Sequence, residues 1–372
     1  MLGPLAPGTD RMGPGGSSVP RGPVRDETSG SPAVADFFGS IRSQVEARLT
    51  TFFDDTLAQT NGLTTEATPV IAQIRALTMR GGKRLRPALV VAAMECLMRW
   101  EDLREAALDV GAAVELLQTY LLIHDDWMDQ DTVRRGGPSV HAALTVELGD
   151  RARGEAAAIL AGDLASALAQ SLLCGPPIPA ARVKPLMQAY ARLQREVMLG
   201  QTLDLLSCTR LEEMYDLKTG SYTTRGPFAL GHALAGGGEE EWRVLLAYST
   251  PLGIAFQLRD DLLGTFGDTQ ETGKDALSDL KAGKRTAPVL ITLARLGPTE
   301  RDAFLSLLGA QDGAKAEEAR AMMEDAGAVQ AVEAQIAAYR DRALTALAGA
   351  SLRTSGKHLL VQLAHELTSR SK

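Results

Sequence analysis

The chain has 372 residues, of which 45% are hydrophobic and 23% charged, and its net charge at pH 7 is −7. This composition is that of an ordinary globular protein and excludes a largely disordered or fibrous chain. The acidic balance argues against non-specific binding to nucleic acid, which needs a basic surface. No run approaches the ~18 apolar residues of a membrane span, so we expect none. The three cysteines, Cys96, Cys174 and Cys208, lie far apart, which argues against a disulfide framework and favours a reducing cytoplasm.

Residues 1–32 differ in composition from the rest of the chain. They contain seven glycines and six prolines. Such a stretch cannot bury a core, so we expect a disordered extension. It also lacks the apolar segment of a signal peptide. Residues 33–372 show no comparable shift in composition and no repeat of fixed period, which predicts a single folded domain.

From residue 33 onward the pattern predicts helix almost throughout. Leu, Ala, Glu, Arg and Gln dominate, and all of them favour helix. Apolar residues recur at helical spacing, for example between Leu103 and Leu121. No run of period-two alternation predicts a strand. Glycine and proline clusters such as residues 136–138 and 175–177 separate about ten or more helices, so we predict an all-α fold.

Three carboxylates interrupt the end of an otherwise apolar helix. Asp125 and Asp129 lie about one helical turn apart on one face, with Asp126 beside them. Without a counterion they would repel one another, and the apolar flanks would increase the repulsion by limiting solvation. A divalent cation would neutralise the cluster. Oxygen ligands without His or Cys indicate Mg²⁺.

A second apolar helix carries the adjacent aspartates Asp260 and Asp261, and Asp268 follows shortly after it. Two acidic helices that face each other would form a metal-bridged cage for a polyanion. Mg²⁺ in such a site is typically bound by a few carboxylates and by phosphates of the substrate. The pair of motifs therefore favours a diphosphate substrate over the simpler interpretation of two solvated helix ends.

Clusters of basic residues indicate a second anion site. Lys83, Arg84 and Arg86 follow two glycines, and Arg134 and Arg135 follow the first acidic cluster. Arginine binds phosphate through two parallel hydrogen bonds, and lysine adds a point charge. The pattern predicts one diphosphate held by carboxylates and metal, and another held by cations without metal.

Taken together, these motifs resemble the trans-isoprenyl (polyprenyl) diphosphate synthase family, from about residue 40 to the C-terminus. The motifs occur in the order of the family: GGKRLRP at 81–87, DDxxD at 125–129 followed by RRG, GQTLD at 200–204, KTGS at 218–221, and FQLRDD at 256–261 followed by GK and GKRT. The resemblance implies an isoprenoid synthase-type helical bundle around a central active-site cavity, and a homodimer. It also implies head-to-tail condensation of isopentenyl diphosphate (IPP) onto an allylic diphosphate of 5 to 15 carbons.

The resemblance also assigns roles to individual residues. The Mg²⁺ ligands would be Asp125, Asp126, Asp129, Asp260 and Asp261. The allylic diphosphate would contact Arg134, Lys218, Lys274 and Lys284, and IPP would contact Lys83, Arg86, Gln118 and Arg135. The catalytic groups would be Lys218, Thr219, Gln257, Asp125 and Asp126, with the oxygens of Thr219 and Gln257 near the developing carbocation. Three Mg²⁺ ions per site are implied when substrate is bound.

Two positions depart from the pattern of the family. Gln118 stands where many relatives have histidine, and Gly264 stands where the second acidic motif usually ends in a third aspartate. Asp268 could compensate in part. Two alternatives remain: a class I terpene cyclase, which shares the first acidic motif but uses no IPP, and a regulatory subunit that binds an active partner. The five retained aspartates argue against the regulatory subunit.

Product length is predicted from residues upstream of the first acidic motif. In the family the growing chain runs beside this helix, and bulky residues block it. Tyr120, Leu117 and Val114 would form the blocking stripe, with Tyr120 as the largest obstacle. The pattern resembles enzymes that stop at 20 carbons, so we predict geranylgeranyl diphosphate, with farnesyl or longer products as alternatives. A helical wheel places Tyr120 about 140° from Asp125, so its position in the tunnel rests on the resemblance.

Overall fold

The computed structural model describes residues 32–206, 210–267 and 277–369, and this part of the chain is almost entirely helical. The first half contains α1 (Pro32–Leu63), α2 (Thr68–Met79), α3 (Leu85–Glu95), a 3₁₀ turn (Trp100–Leu103), α4 (Arg104–Met128), α5 (Val140–Leu148), α6 (Arg151–Leu173) and α7 (Ala180–Leu205). The second half contains α8 (Leu211–Tyr215), a π-helix (Asp216–Arg225), α9 (Gly226–Ala235), α10 (Glu239–Phe266), α11 (Ser278–Lys281), α12 (Ala287–Arg295), α13 (Pro298–Leu307), α14 (Gly313–Asp325), α15 (Ala328–Ala346) and α16 (Thr354–Ser369). The all-α prediction is confirmed. All but the last residue of the predicted 1–32 extension lies outside the described residues, so its disorder stays a prediction.

One short hairpin was not predicted, and it is the sole β-structure in the described ranges. Strands β1 (Val133–Arg134) and β2 (Gly137–Pro138) pair antiparallel. Both turn residues, Arg135 and Gly136, have positive φ (52° and 71°), which is typical of a tight two-residue hairpin turn. Arg80 Nη1 donates to the carbonyl oxygens of Arg134 (3.0 Å) and Pro138 (2.8 Å) and so fixes the hairpin on the helical body. Strands of two residues are too short to show an alternating pattern in the sequence.

Helix α4 is the central element of the bundle, and it packs against α1, α3 and α6. It is apolar along most of its length because both of its sides are covered. Two segments, Trp100–Met128 and Arg151–Leu173, are long and apolar enough to cross a membrane by length and composition alone, so the expectation of no membrane span stays a prediction. In the first, 78% of the most apolar window is buried, as in the core helix of a globular protein. In the second segment, 39% of the most apolar window is buried.

Close helix packing fixes the π-helix between α7 and α10. A Cβ built on Gly200 of α7 would lie 2.2 Å from the Lys218 nitrogen, and one built on Gly253 of α10 would lie 2.7 Å from the Gly220 Cα. Any side chain at 200 or 253 would therefore push the π-helix away. Thr224 Oγ1 donates to the Ser249 carbonyl (3.0 Å) across the second contact. These three elements carry the KTGS segment and the second acidic motif, so the glycines set the distances in the site.

Candidate active site

The first acidic cluster lies at the C-terminal end of α4, and its members differ in environment. Asp125 is partly exposed, and its Oδ1 accepts a hydrogen bond from Gln201 Nε2 of α7 (2.9 Å). Asp129 follows one turn later and is exposed to solvent. Incomplete solvation of its carboxylate raises the pKa of Asp129 and the charge of Asp125 raises it further, whereas Lys284 and Lys218 act in the opposite direction. Asp125 and Asp129 therefore repel each other on the face that they share.

Asp126 points into the protein. Its side chain is completely buried, and its Oδ1 accepts a hydrogen bond from Arg134 Nε (2.6 Å). Burial raises the pKa of Asp126 to about 6, although Arg134 acts in the opposite direction. Its Oδ2 has no hydrogen-bond partner within the described residues. The geometry makes Asp126 the anchor of Arg134, which also contacts Asp131 through Nη2 (3.3 Å).

The two aspartates of the second acidic motif also differ in their exposure to solvent. Asp260 is partly exposed, whereas Asp261 is buried. The Tyr215 hydroxyl and the Ala287 backbone N–H (3.1 Å) both donate to Asp261 Oδ2. Gln257 Nε2 donates to Oδ1 (2.7 Å). Burial raises the pKa of Asp261 to about 7, and these three donors limit the rise.

The π-helix places two polar groups beside these motifs. Lys218 Nζ bonds to Asp204 of α7, and Thr219 Oγ1 donates to Gln257 Oε1 (2.5 Å). A hydrogen-bonded chain thus runs from Thr219 through Gln257 to Asp261 and Tyr215. Consecutive π-helical turns are rare and occur frequently at functional sites. Here the wider turn lets adjacent residues contact different helices.

A cluster of cations lies near the start of α3. Arg84 Nη1 is paired with the buried Glu115 (2.6 Å). Arg86 Nη2 donates to Thr223 Oγ1 (2.8 Å), its guanidinium lies 4.3 Å from the Tyr222 ring centroid, and its buried Nε has no partner in the described part of the chain. Burial lowers the pKa of Arg135; Glu115 opposes this, and Arg84 and Arg86 lower the pKa further. Arg84 Nε also lies 3.4 Å from Glu46 Oε1. The three arginines thus outnumber the two carboxylates paired with them, Glu46 and Glu115, which favours binding of an anion.

The remaining residues that were predicted to bind phosphate differ in their partners and in their exposure to solvent. Lys284 Nζ lies 3.6 Å from Asp279 Oδ1. Burial alone would lower the pKa of Lys284, but the charges of Asp279, Asp129, Asp125 and Asp204 together raise it. Gln118 is half-buried on α4, and Lys83 is exposed. Lys274 and Asp268 lie outside the described residues.

An apolar cavity of about 280 Å³ adjoins the first acidic cluster. Its walls come from α4, α7 and the π-helix and include Tyr120, Asp125, Gln201 and Lys218. Tyr120 stacks edge-on against His124, with ring centroids 5.0 Å apart. Tyr120 and Asp125 line the same cavity despite their angular separation on a wheel. The other cavity-lining residues are Leu121, Leu122, His124, Met128, Val197, Met198, Thr202, Leu205 and Tyr222.

Leu117 and Val114 belong to the hydrophobic core and are fully buried. Neither is among the residues that line this cavity. Of the three residues predicted to limit product length, Tyr120 therefore lies at the cavity wall, whereas Leu117 and Val114 pack within the bundle.

Comparisons with known proteins identify the family. The polyprenyl synthetase family model matches residues 68–326. The chain belongs to the polyprenyl synthetase family. It is 34% identical over 250 residues to geranylgeranyl diphosphate synthase of Sulfolobus acidocaldarius, covering 64% of this chain and 71% of the relative. It is 30% identical over 311 residues to geranylfarnesyl diphosphate synthase of Aeropyrum pernix, covering 80% and 92%. A geranylgeranyl pyrophosphate synthase from Corynebacterium glutamicum, solved with isoprenyl diphosphate and magnesium, superposes with a TM-score of 0.82 at 30% identity, covering 91% of this chain and 99% of that one.

The protein is therefore a prenyltransferase with an all-α isoprenoid synthase fold. Three of its site residues were missed as functional residues by sequence reasoning. Gln201 and Asp204 lie in the quoted GQTLD motif, which signalled the family but gave no contacts, and they bond Asp125 and Lys218. Tyr215 carries no sequence signal, because a lone tyrosine in a polar segment has many possible roles.

Proposed function

We propose that the enzyme condenses IPP head to tail with allylic diphosphates of 5 to 15 carbons and makes geranylgeranyl diphosphate as its main product. One observation carries the proposal. The predicted metal-binding Asp125 and the predicted diphosphate-binding Lys218 line the same apolar cavity as Tyr120. Such a cavity suits a substrate with an anionic head and a hydrocarbon tail. The names of the two relatives are consistent with products of about this length.

Mg²⁺ fits the donor set of this site. Within residues 32–206, 210–267 and 277–369, no three His, Cys, Asp or Glu side chains come together closely enough to hold a metal by themselves. The site therefore needs ligands from the substrate, as Mg²⁺ sites often do. We propose Asp125, Asp129 and Asp260 as the direct ligands. Asp126 and Asp261, predicted as ligands from the motif, are better suited to anchor Arg134 and Gln257. When bound, Mg²⁺ would neutralise charge on the departing diphosphate.

The cluster of Arg84, Arg86 and Arg135 is the proposed IPP site. Its excess of positive charge supports a polyanionic ligand, and the Nε of Arg86 offers a donor that has no partner within the described residues. Lys83 and Gln118 would complete this site. In the described ranges, no carboxylate of the two acidic motifs bonds to Arg86. A diphosphate bound here would thus be held by cations alone.

The groups around the reacting carbon act by charge placement. Arg134, Lys218 and Lys284 would hold the allylic diphosphate as its C–O bond breaks. The oxygens of Thr219 and Gln257 would stabilise the allylic cation that remains. The IPP double bond would then attack C1 of the cation, and the released diphosphate is the proposed base for the final proton. The mechanism requires that water be kept from the cation, because water would quench it.

The product length proposed here depends on Tyr120. Its ring closes the wall of the cavity that also contains Asp125, and its side chain is only 6% exposed. Leu117 and Val114 lie deeper in the core, and they would limit the product only after Tyr120 is removed. This arrangement supports a product of intermediate length.

The proposed homodimer and cytoplasmic location rest on separate observations. Large apolar side chains outside the cavity are exposed on three helices that pack in sequence, α5, α6 and α7: Val146 (84%), Leu160 (66%) and Leu199 (52%). A partner subunit would cover such a surface. Light scattering of the purified protein tests the dimer. Cys96 and Cys174 are both unpaired, which suits a reducing compartment.

A direct assay tests the activity. The purified protein is incubated with Mg²⁺, labelled IPP and, in turn, the C5, C10 and C15 allylic diphosphates, and product chain length is measured. We expect C20 from all three starters. Cyclic hydrocarbons released without use of IPP would instead indicate a terpene cyclase.

A further inference from the structure

Glu115 is a buried carboxylate of α4 to which the proposed reaction gives no role. Its Oε2 accepts a hydrogen bond from Arg84 Nη1 (2.6 Å), and the side chains of Arg84 and Glu115 are only 1% and 4% exposed. A buried ion pair is weak evidence of added stability, because the desolvation of both charges offsets their attraction. The surroundings of the pair indicate what else it does.

Arg84 belongs to a turn with an unusual backbone conformation. Gly81, Gly82 and Arg84 all have positive φ (69°, 111° and 50°). A residue with a side chain adopts this region only at an energetic cost, so other contacts must hold Arg84 there. Its guanidinium supplies them, because it bonds to Glu115 and also lies 3.4 Å from Glu46 Oε1 through Nε. The ion pair with Glu115 thus holds the turn from the side of the core.

The same turn carries the cations of the proposed IPP site. Lys83 is exposed and directly precedes Arg84, and Arg86 follows in the first turn of α3. Lys83 therefore lies on the solvent side of the turn, whereas the side chain between it and Arg86 is tied to the core. Because Arg84 lies between the two other cations, its position determines where both of them can lie.

Glu115 also acts on the remaining cation of the cluster. A Cβ built on Gly82 would lie 3.7 Å from Arg84 Nη1 and 3.7 Å from Arg135 Nη1, so both guanidinium groups lie beside this glycine. Burial lowers the pKa of Arg135 and the charges of Arg84 and Arg86 lower it further, whereas Glu115 raises it. Glu115 therefore limits the repulsion among arginines that must stay together when no diphosphate is bound.

We propose that Glu115 is a positioning residue for the IPP site. It holds Arg84, and through Arg84 it holds the turn that carries Lys83 and Arg86 in the conformation that accepts a diphosphate. The inference rests on the proposed function, because it takes this cluster as the site of IPP. The negative charge of Glu115 has two opposing effects, since it weakens the attraction for a diphosphate but keeps the cations in place. In this proposal the second effect is the larger.

Glu115→Gln tests the proposal, with Asp109→Asn as the matched control. Glutamine keeps the size of the side chain but loses the charge that strengthens the bond to Arg84, so we expect the KM for IPP to rise about tenfold and the allylic KM to stay within about twofold. Asp109 is also a buried carboxylate of α4 and pairs with Arg48 of α1, about 9 Å nearer the start of the helix. Asp109→Asn should lower the melting temperature and leave both KM values unchanged.

Direct binding gives a second readout that needs no turnover. Calorimetric titration of IPP, in EDTA and without allylic substrate, should give a dissociation constant about tenfold higher for Glu115→Gln than for the wild type. Arg84→Gln should weaken binding by a similar factor, and the double variant should bind within about twofold of the single variants, because both changes break one pair. If Glu115→Gln does not fold, Glu115→Asp takes its place. It keeps the charge but shortens the reach to Arg84, so it should weaken IPP binding in the same direction.

Three results would overturn the proposal. Unchanged IPP binding in Glu115→Gln, or equal weakening in Asp109→Asn, would make the ion pair purely structural. Tighter IPP binding in Glu115→Gln would mean that the residue acts only by its charge. Additive effects of Glu115→Gln and Arg84→Gln would mean that Glu115 does not act through Arg84. Failure of the proposed function is distinguishable from all three, because the wild type would then neither bind IPP nor make a prenyl product, and the inference would fail with it.

Discussion

The hydrogen-bonded chain behind the second acidic motif leads to a prediction about Asp261. The Tyr215 hydroxyl and the Ala287 N–H both donate to Oδ2, so that side of residue 261 must be an acceptor. Asp261 Oδ1 faces Gln257 Nε2, which can only donate. An asparagine at position 261 would keep its oxygen towards Tyr215 and turn its NH₂ towards the NH₂ of Gln257. Asp261→Asn therefore places two buried donors face to face.

The size of the effect follows from the bonds that are lost. The contact from Gln257 to the carboxylate is a charge-assisted hydrogen bond in a buried site, and such bonds contribute about 1.5–3 kcal/mol. If Gln257 turns its amide to relieve the conflict, its Oε1 leaves Thr219, and the proposed carbocation contacts are disturbed instead. Either way we expect kcat to fall by roughly 10- to 150-fold, since 1.36 kcal/mol corresponds to a factor of ten.

A second substitution should restore the pattern. In Gln257→Glu combined with Asp261→Asn, the introduced carboxylate accepts from both the introduced amide and the Thr219 hydroxyl, and every donor has an acceptor again. We expect the double variant to regain at least part of the lost kcat. The assay measures kcat, both KM values and the Mg²⁺ concentration for half-maximal rate, together with thermal melts.

The reasoning is refuted by either of two results. If Asp261→Asn raises the Mg²⁺ requirement about tenfold or more while kcat at saturating Mg²⁺ stays near wild type, Asp261 is a metal ligand and not a positioning residue. If the double variant is as slow as the single one although both melt normally, hydrogen-bond polarity is not what residue 261 provides. Asp260→Asn is the matched comparison, because removal of this proposed ligand should raise the Mg²⁺ requirement.

Three further predictions concern stability and specificity. Asp126→Ala should lower the free energy of unfolding by about 3 kcal/mol, because it leaves the Arg134 guanidinium without its buried partner. The pKa of Asp126 is about 6 in the folded protein and about 4 in the unfolded chain, so the wild type gains stability as the pH falls through this range. The loss of unfolding free energy caused by Asp126→Ala, measured by denaturant unfolding, should therefore grow from pH 7 to pH 4. Arg86→Ala should raise the KM for IPP about tenfold or more and leave the allylic KM nearly unchanged, and equal effects would argue against two separate sites. Tyr120→Ala should extend products beyond C20, read from labelled IPP, and an unchanged product would remove Tyr120 from the control of length.

The sequence predicted the helical fold and the family because both depend on local or ordered signals. Helical periodicity and glycine breaks are read directly along the chain, and the motifs occur in a fixed order. The hairpin 133–138 was missed because its two-residue strands are held by Arg80, which lies more than fifty residues earlier. Its twist depends on positive φ at Arg135, a residue type that does not favour this conformation. Long-range anchoring of this kind leaves no trace in a local pattern.

The roles within each acidic motif could not be predicted for a related reason. From spacing alone, adjacent aspartates look equivalent, and mutual repulsion is the expected interaction. The structure separates them by direction: Asp125 and Asp260 are partly exposed, whereas Asp126 and Asp261 are buried against partners supplied by other elements. Arg134 reaches Asp126 because the hairpin turns the chain back, and Tyr215 reaches Asp261 from the end of α8. Asp126 and Asp261, whose charges look unfavourable in the sequence, therefore hold Arg134 and Gln257 in position in the fold.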